Sequence, residues 1–96
     1  MPKVADNVVW TFLSNHSHIL ICIYNEPEIR LRDLAVRVGI TERAVHRIVT
    51  ELVQEGYLSV EKSGRRNFYH VNADIPLRHE VESHRKVSDL LNLFHI

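Results

Sequence analysis

The polar side chains between residues 41 and 50 have the types and spacing best suited to form hydrogen bonds with another molecule. Arg43, His46, Arg47 and Thr50 lie there at helical spacing. In a helix, residues three and four apart share one face, so these side chains would form a single stripe. An arginine can form two hydrogen bonds with a guanine edge, and a threonine can contact a thymine methyl group or a phosphate. The stripe is therefore a candidate surface for contact with double-stranded DNA.

A second basic cluster surrounds a predicted turn. Lys62, Arg65 and Arg66 lie beside Gly64, between two β-prone runs. A flexible basic tip suits phosphates or a narrow minor groove. Over the whole chain, 12 basic residues balance 12 acidic ones. DNA binding therefore cannot be argued from net charge and depends on local clustering of the basic residues.

Glu42 has two interpretations at the start of the same stripe. Its carboxylate can accept a hydrogen bond from a cytosine amino group, or it can stabilise the positive end of a helix that begins beside it. The sequence leaves both interpretations open. The residues that we expect to contact DNA are Arg32, Thr41, Glu42, Arg43, His46, Arg47, Thr50, Lys62, Arg65, Arg66 and Asn67.

Three predicted helices position these side chains. Apolar residues recur at helical spacing in residues 15–25, 31–38 and 41–55, which favours a helix in each range. Ala35 is small enough to let two helices cross closely. Gly39, four residues later, can adopt the left-handed conformation that ends a helix. The second and third helices therefore form a helix-turn-helix.

A β-hairpin is predicted directly after the third helix. Residues 57–62 alternate between apolar and polar side chains, and residues 67–72 form a second β-prone run. Two such runs on either side of Gly64 indicate a hairpin. A helix-turn-helix that is followed by a hairpin has the layout of a winged helix, in which the hairpin is the wing.

The two ends of the chain are predicted to be helical. We expect the first to pack on the main core or on a partner chain, and the last to form a dimer interface. Residues 2–13 contain an apolar run together with residues that can cap a short helix. Residues 77–96 carry apolar side chains along one broad helix face. That face can cover a second copy of the chain or fold back onto the chain's own first helix, and we favour the second copy. The residues expected at the dimer interface are Trp10, Leu77, Val81, His84, Val87, Leu91 and Phe94.

The helix-turn-helix segment also carries a motif. From Leu31 to Val45 it runs Leu-Arg-Asp-Leu-Ala-x-x-Val-Gly-Ile-Thr-x-Arg-x-Val, and Gly-Arg-Arg follows at residues 64–66. This arrangement resembles the winged helix-turn-helix regulators of the MarR and ArsR type. The resemblance implies a mainly α fold with a small β-hairpin: a three-helix core, a wing and a long C-terminal helix.

The length of 96 residues is that of one domain, which we expect to span residues 1–96. Residues 14–73 would form the DNA-binding core with its wing, and residues 77–96 the dimerisation helix. The expected function is that of a sequence-specific, homodimeric transcriptional repressor in the cytoplasm. Helix 41–55 would enter the major groove, and residues 62–67 would contact the backbone or the minor groove. Two-fold symmetry predicts an inverted-repeat operator, and a small-molecule effector could bind between the first and last helices.

Two other functions compete with this one. A winged helix can serve as a protein-protein interaction module, and seven histidines suggest a metal-sensing repressor like some ArsR relatives. His16 and His18 are two residues apart, and His79 and His84 five apart. Neither pair has the i, i+4 spacing that brings two imidazoles together on a helix, so we expect no metal site and no cofactor.

Several function classes find no support in the sequence. One cysteine excludes an internal disulfide framework and a cysteine-rich zinc ribbon. No apolar run reaches the ~18–20 residues of a membrane span, so no membrane association is expected. The chain has no phosphate-binding glycine loop and no local sign of a catalytic triad, and we therefore expect that it is not an enzyme.

Overall fold

The computed structural model describes residues 10–95. Within that range the chain forms four helices and one two-stranded antiparallel sheet. The predicted fold class is confirmed for the three-helix core and the wing. The elements are α1 (Asn15–Asn25), α2 (Leu31–Val38), α3 (Glu42–Gln54), β1 (Leu58–Ser63), β2 (Arg66–Val71) and α4 (Val87–Leu93).

Side-chain caps fix where two of the helices begin. The Ser14 hydroxyl accepts a hydrogen bond from the backbone N–H of Ser17 at 3.3 Å, at the start of α1. The Thr41 hydroxyl accepts one from the N–H of Ala44 at 3.0 Å, at the start of α3. Each bond satisfies an N–H group that has no partner inside its helix. The start of α3 is therefore set by the residue that precedes the candidate DNA stripe.

Gly39 forms the turn between α2 and α3. Its φ is +84°, and its N–H donates to the carbonyl of Ala35 at 2.8 Å. The N–H of Ile40 donates to the same carbonyl at 3.1 Å. A residue with a side chain is strained in this left-handed conformation. The glycine thus allows the chain to leave α2 and begin α3 within three residues.

The core is built from the apolar faces of the helices, and the wing is attached to it. Ile19 and Ile23 of α1, Leu34 of α2 and Val45 of α3 are fully buried. Tyr69 of β2 is buried as well, and its N–H donates to the carbonyl of Pro27 at 3.0 Å. This contact fixes the wing to the loop that follows α1.

The wing closes through a two-residue turn. β1 and β2 pair antiparallel, with Leu58 opposite Val71 and Ser63 opposite Arg66. Gly64 has a φ of +63°, whereas Arg65 has no positive φ. A glycine with positive φ at the first turn position is typical of a type II′ turn. The turn places Arg65 at the tip of the wing.

The C-terminal region corrects the predicted 77–96 helix. Of residues 77–95, only Val87–Leu93 is helical, and residues 77–86 form a loop, here named the return loop. Leu77 N–H donates to the Arg85 carbonyl at 2.9 Å, and Val87 N–H donates to the Ile75 carbonyl at 2.9 Å. Between residues 78 and 86 the only apolar side chain is Val81. A helix there would have no apolar stripe to bury, and most helix stability in proteins comes from such burial.

The predicted dimer role of this region also needs correction. Val87 and Leu91 are buried within the chain, where α4 packs on α1. These two residues are part of the monomer core and offer no surface to a partner. The alternative, in which the C-terminal helix folds back on the first helix, is the one that the structure supports for them.

The N-terminal prediction falls mostly on residues 1–9, which lie outside the described residues. Residues 10–13, which are described, contain no helix. None of the helices between residues 10 and 95 has both the length and the hydropathy that a membrane crossing requires.

The conformation of Gly39 leads to a prediction. Substitution of Gly39 by Ala should lower the free energy of unfolding by about 1–2 kcal/mol, because a Cβ is disfavoured in the left-handed region. Apart from Gly39 and its chain neighbours, no atom of residues 10–95 lies within 4 Å of a Cβ built at Gly39, so the cost arises from backbone strain and not from a clash. Urea unfolding followed by circular dichroism measures it. Val36→Ala is the control, because Val36 is 79% exposed on α2. Equal stability of Gly39→Ala and wild type would contradict the argument.

Candidate nucleic-acid interface

The surface of α3 divides into a buried apolar side and an exposed polar side. Val45, Ile48, Val49 and Leu52 are buried. This burial turns the opposite side of the helix to solvent, and the residues there are Glu42, Arg43, His46, Arg47 and Thr50, all exposed. We name Arg43, His46, Arg47 and Thr50 the α3 stripe. The predicted stripe is thus on one exposed face, as its spacing indicated.

Thr41, which precedes the α3 stripe, and Thr50, which belongs to it, already form hydrogen bonds inside the protein. Thr41 caps α3 through Ala44. The Thr50 hydroxyl donates to the His46 carbonyl at 2.8 Å. Because the Thr50 proton is used inside the helix, Thr50 is suited to a thymine methyl group and not to donation to a phosphate. Glu42 lies in the first turn of α3, where its charge favours the helix.

The two arginines of the stripe differ in their surroundings. Arg43 has no ion-pair partner within residues 10–95. Arg47 Nη1 lies 3.4 Å from Glu51 Oε2, one helical turn further along α3. Glu51 Oε1 in turn lies 2.8 Å from His16 Nε2 of α1. Arg43 can therefore bind a ligand without losing a partner, whereas Arg47 is coupled to an acidic residue.

The carboxyl group of Glu51 is held in its ionised form. The hydrogen bond with His16, aided by the charge of Arg47, lowers the pKa of Glu51 below its ordinary value. Hydrogen bonds and positive charges favour the charged carboxylate. At neutral pH a negative charge therefore lies beside a residue of the α3 stripe.

The wing contributes residues with two different roles. Lys62 and Arg65 are exposed. Arg66 Nη2, in contrast, donates to the Glu28 carbonyl at 3.0 Å, and Asn67 is half-buried with its Nδ2 3.4 Å from Tyr69 Oη. Lys62 and Arg65 are therefore the wing residues best placed for DNA, whereas Arg66 holds the wing against the body of the protein and Asn67 bonds within β2.

Two shallow cavities connect the wing to the helices. One, of about 260 Å³, is lined by His46 and Thr50 of the stripe together with Val60 and Asn67 of the wing. The stripe and the wing therefore border one groove, as the winged-helix prediction required. The second cavity, of about 470 Å³, lies between the residues before α2 and the tip of the wing.

The second cavity brings together arginines that are distant in sequence. Arg30, which precedes α2, lines it with Arg65 and Arg66. Arg30 is not among the residues that the sequence predicts to contact DNA, because nothing local marks it as different from any exposed arginine. Arg32, which was predicted, is exposed in the first turn of α2.

The residues predicted for the dimer interface are scattered in their exposure. Trp10 is 66% exposed, Val81 74% and Phe94 42%. His84 is exposed and Leu77 is half-buried. Trp10 also forms an edge-to-face contact with Phe12, with ring centroids 5.1 Å apart. Large apolar side chains therefore remain uncovered near both ends of the described chain.

Comparison with known proteins supports the same fold. Residues 13–59 match the family described as winged helix-turn-helix DNA-binding. Among solved structures, the zinc-dependent MarR family transcriptional regulator AdcR in its Zn(II)-bound state is 24% identical with a TM-score of 0.50, over 72% of this chain and 49% of that one. The PcaV transcriptional regulator of Streptomyces coelicolor, solved with its natural ligand, is 20% identical with a TM-score of 0.56, over 85% of this chain and 57% of that one. No curated protein matches the chain in sequence.

Residues 13–59 therefore match a winged helix-turn-helix DNA-binding family, and the chain has the winged helix-turn-helix fold. Within that class it has the fold of MarR regulators, which confirms the MarR part of the resemblance at the level of the fold. The chain spans about half the length of the solved structures that it matches.

The different roles of the neighbouring wing arginines can be tested. Arg65→Ala should leave the free energy of unfolding within about 0.5 kcal/mol of wild type and reduce the salt dependence of duplex binding by about one phosphate contact. Arg66→Ala should lower the free energy of unfolding by about 0.5–1 kcal/mol, because it removes the hydrogen bond to Glu28. Chemical denaturation and salt titrations of binding provide the two measurements. A destabilised Arg65 variant beside a fully stable Arg66 variant would reverse the assignment.

Proposed function

We propose that the protein is a sequence-specific, DNA-binding transcriptional regulator that acts as a homodimer, with repression favoured over activation. The observation that carries the proposal is the α3 stripe, exposed on the second helix of a helix-turn-helix and bordered by the wing. Helix α3 enters the major groove, and the wing contacts the backbone or the minor groove. The site of action is the cytoplasm.

The charge of the chain explains why two copies are needed. The formal net charge is zero, so one domain gains little affinity from its overall field. Non-specific affinity follows the number of phosphates that are neutralised. Two linked copies double those contacts and make the second binding event intramolecular. A two-fold dimer contacts an inverted repeat whose half-sites are about 34–36 Å apart.

An effector site is a further part of the proposal. A cavity of about 420 Å³ lies between α1, the end of α3 and the return loop, and Leu20, Tyr57 and Leu90 are among its apolar lining. A cavity of this size suits a small molecule. Because Leu90 of α4 also lines it, the cavity supports an effector site between the first and last helices.

Metal sensing and catalysis are not part of the proposal. The portion of the chain that is described holds no group of three or more histidine, cysteine, aspartate or glutamate residues that could bind a metal ion. Zinc dependence is a property of AdcR and no part of what is proposed for this chain. Burial raises the pKa of the Cys22 thiol, which makes it a poor nucleophile at neutral pH.

Reversal of charge on the α3 stripe tests the DNA-binding part. The double variant Arg43→Glu with Arg47→Glu should weaken duplex binding by about a hundredfold or more, because each arginine that contacts a guanine contributes about 1–3 kcal/mol. Fluorescence anisotropy over a range of salt concentrations measures the affinity. The control is Arg37→Glu with Arg85→Glu, which makes the same change of charge on exposed residues outside the stripe and the wing. A protein-interaction module would bind no duplex in any of these forms, and equal loss in both double variants would contradict the assigned surface.

The dimer is tested by its concentration dependence. Trp10→Ser with Phe94→Ser should raise the dimer dissociation constant by at least about tenfold, because two large apolar side chains would lose their burial. Sedimentation equilibrium measures the constant, with Val36→Ser as the control for a lost exposed apolar residue. A wild-type protein that stays monomeric at all concentrations would contradict the proposed dimer.

A further inference from the structure

Glu51 links the α3 stripe to a histidine on another helix. Its Oε2 lies 3.4 Å from Arg47 Nη1, and its Oε1 lies 2.8 Å from His16 Nε2. An ionised carboxylate has no proton to donate, so His16 Nε2 is the donor in the shorter contact. The Glu51 carboxylate therefore contacts both Arg47, which is a candidate for DNA contact, and the imidazole of His16.

The order of Arg47 and Glu51 along α3 makes the pair a poor stabiliser of the helix. It favours competition between Glu51 and DNA for Arg47. Within a helix, an acidic residue that precedes a basic one by four positions is the better arrangement, and here the order is reversed. Arg47 is 62% exposed at its side chain and Glu51 45%. The pair is therefore weak, and its main effect at the stripe is to place a negative charge where a phosphate would approach.

The surroundings of His16 contain further charged groups from two elements. The cavity that His16 lines is also lined by Glu51 and Glu55 at the end of α3, by Arg78 and Glu82 of the return loop, and by Tyr57. Arg78 Nη1 pairs with Glu55 at 3.0 Å, so its charge is directed to Glu55. The side chain of His16 is 43% exposed.

We propose that Glu51 attenuates DNA binding through Arg47, and that protonation of His16 relieves this attenuation. This inference rests on the proposed function and concerns the same surface. Arg47 is the residue that contacts DNA, Glu51 is its positioning partner, and His16 acts on DNA through Glu51.

The sign of the effect follows from the charges. With His16 neutral, Glu51 and Arg47 together carry no net charge. With His16 protonated, the three residues carry one positive charge. The Glu51 carboxylate then forms a charge-assisted hydrogen bond with His16 and neutralises the charge of Arg47 less. Histidine ordinarily changes its charge between pH 5 and 8. Duplex affinity is therefore greater at pH 6 than at pH 8. One positive charge added this close to the α3 stripe strengthens duplex binding by about three- to tenfold at low salt.

Duplex binding by single and double variants at pH 6 and pH 8 tests the inference. Glu51→Gln should bind about three- to tenfold more tightly than wild type at pH 8, because the negative charge is gone. His16→Gln keeps a neutral donor beside Glu51 and should lose the gain in affinity at pH 6. In the Glu51→Gln background, His16→Gln should change the affinity at pH 6 by less than it does in wild type, since the part of its effect that passes through Glu51 is gone. All variants are checked for unchanged thermal unfolding.

Matched controls separate this contact from other charge effects. Glu26→Gln removes the same charge from an Arg–Glu pair of the same length, Arg37–Glu26 at 3.4 Å, and should change affinity by less than about twofold. His46→Gln removes the histidine of the stripe itself, and the loss caused by His16→Gln should persist in that background. A weaker Glu51→Gln variant, or a His16→Gln variant with the pH dependence of wild type, would overturn the inference.

A measurement without DNA keeps this inference distinct from the proposed function. The guanidinium NMR signals of Arg47 should move between pH 8 and pH 6 in wild type and stay in place in His16→Gln. If these signals move while wild type binds no duplex at either pH, the contact exists but the proposed function fails, and the DNA part of the inference fails with it. If wild type binds duplex and the signals of Arg47 ignore His16, only this inference fails.

Discussion

The burial of one side of α3 is the constraint on which the rest of the structure depends. Val45, Ile48, Val49 and Leu52 are buried among the other helices, and together they set the rotation of α3 about its own axis. A rotation that exposed them would lose several kcal/mol of apolar burial, at about 1.5–3 kcal/mol for each fully buried side chain. The outward direction of Arg43, His46, Arg47 and Thr50 is thus a consequence of core packing, and the polar face needs no stabilising contacts of its own.

The wing depends on the same core for its position. Leu58 and Tyr69 are buried in it, and backbone and side-chain hydrogen bonds connect β2 to the loop between α1 and α2. An isolated two-stranded hairpin is marginally stable in water. The attachment of this one to the core therefore leaves Lys62 and Arg65 as the basic side chains that extend away from a fixed base.

The fold could be predicted from sequence wherever the signals are local. Gly39 and Thr41 lie next to the turn that they define, and the periodicity of α3 is contained within one helix. The predicted C-terminal helix was wrong because its apolar residues were counted across a polar segment, and the pairing of Leu77 with Arg85 leaves no mark in the periodicity. The contacts Arg66–Glu28 and His16–Glu51 join residues 38 and 35 positions apart. Such contacts arise only once the helices have packed, so the sequence could not indicate that Arg66 is an anchor or that Glu51 is bonded to His16.

Selection from a pool of randomised duplex DNA tests the central claim most directly, because it examines binding, specificity and symmetry together. The account predicts that the wild-type protein enriches an inverted repeat whose half-sites lie about one helical turn apart. A selection that enriches no sequence, or one in which the enriched duplexes bind equally well when the α3 stripe is reversed in charge, would contradict it.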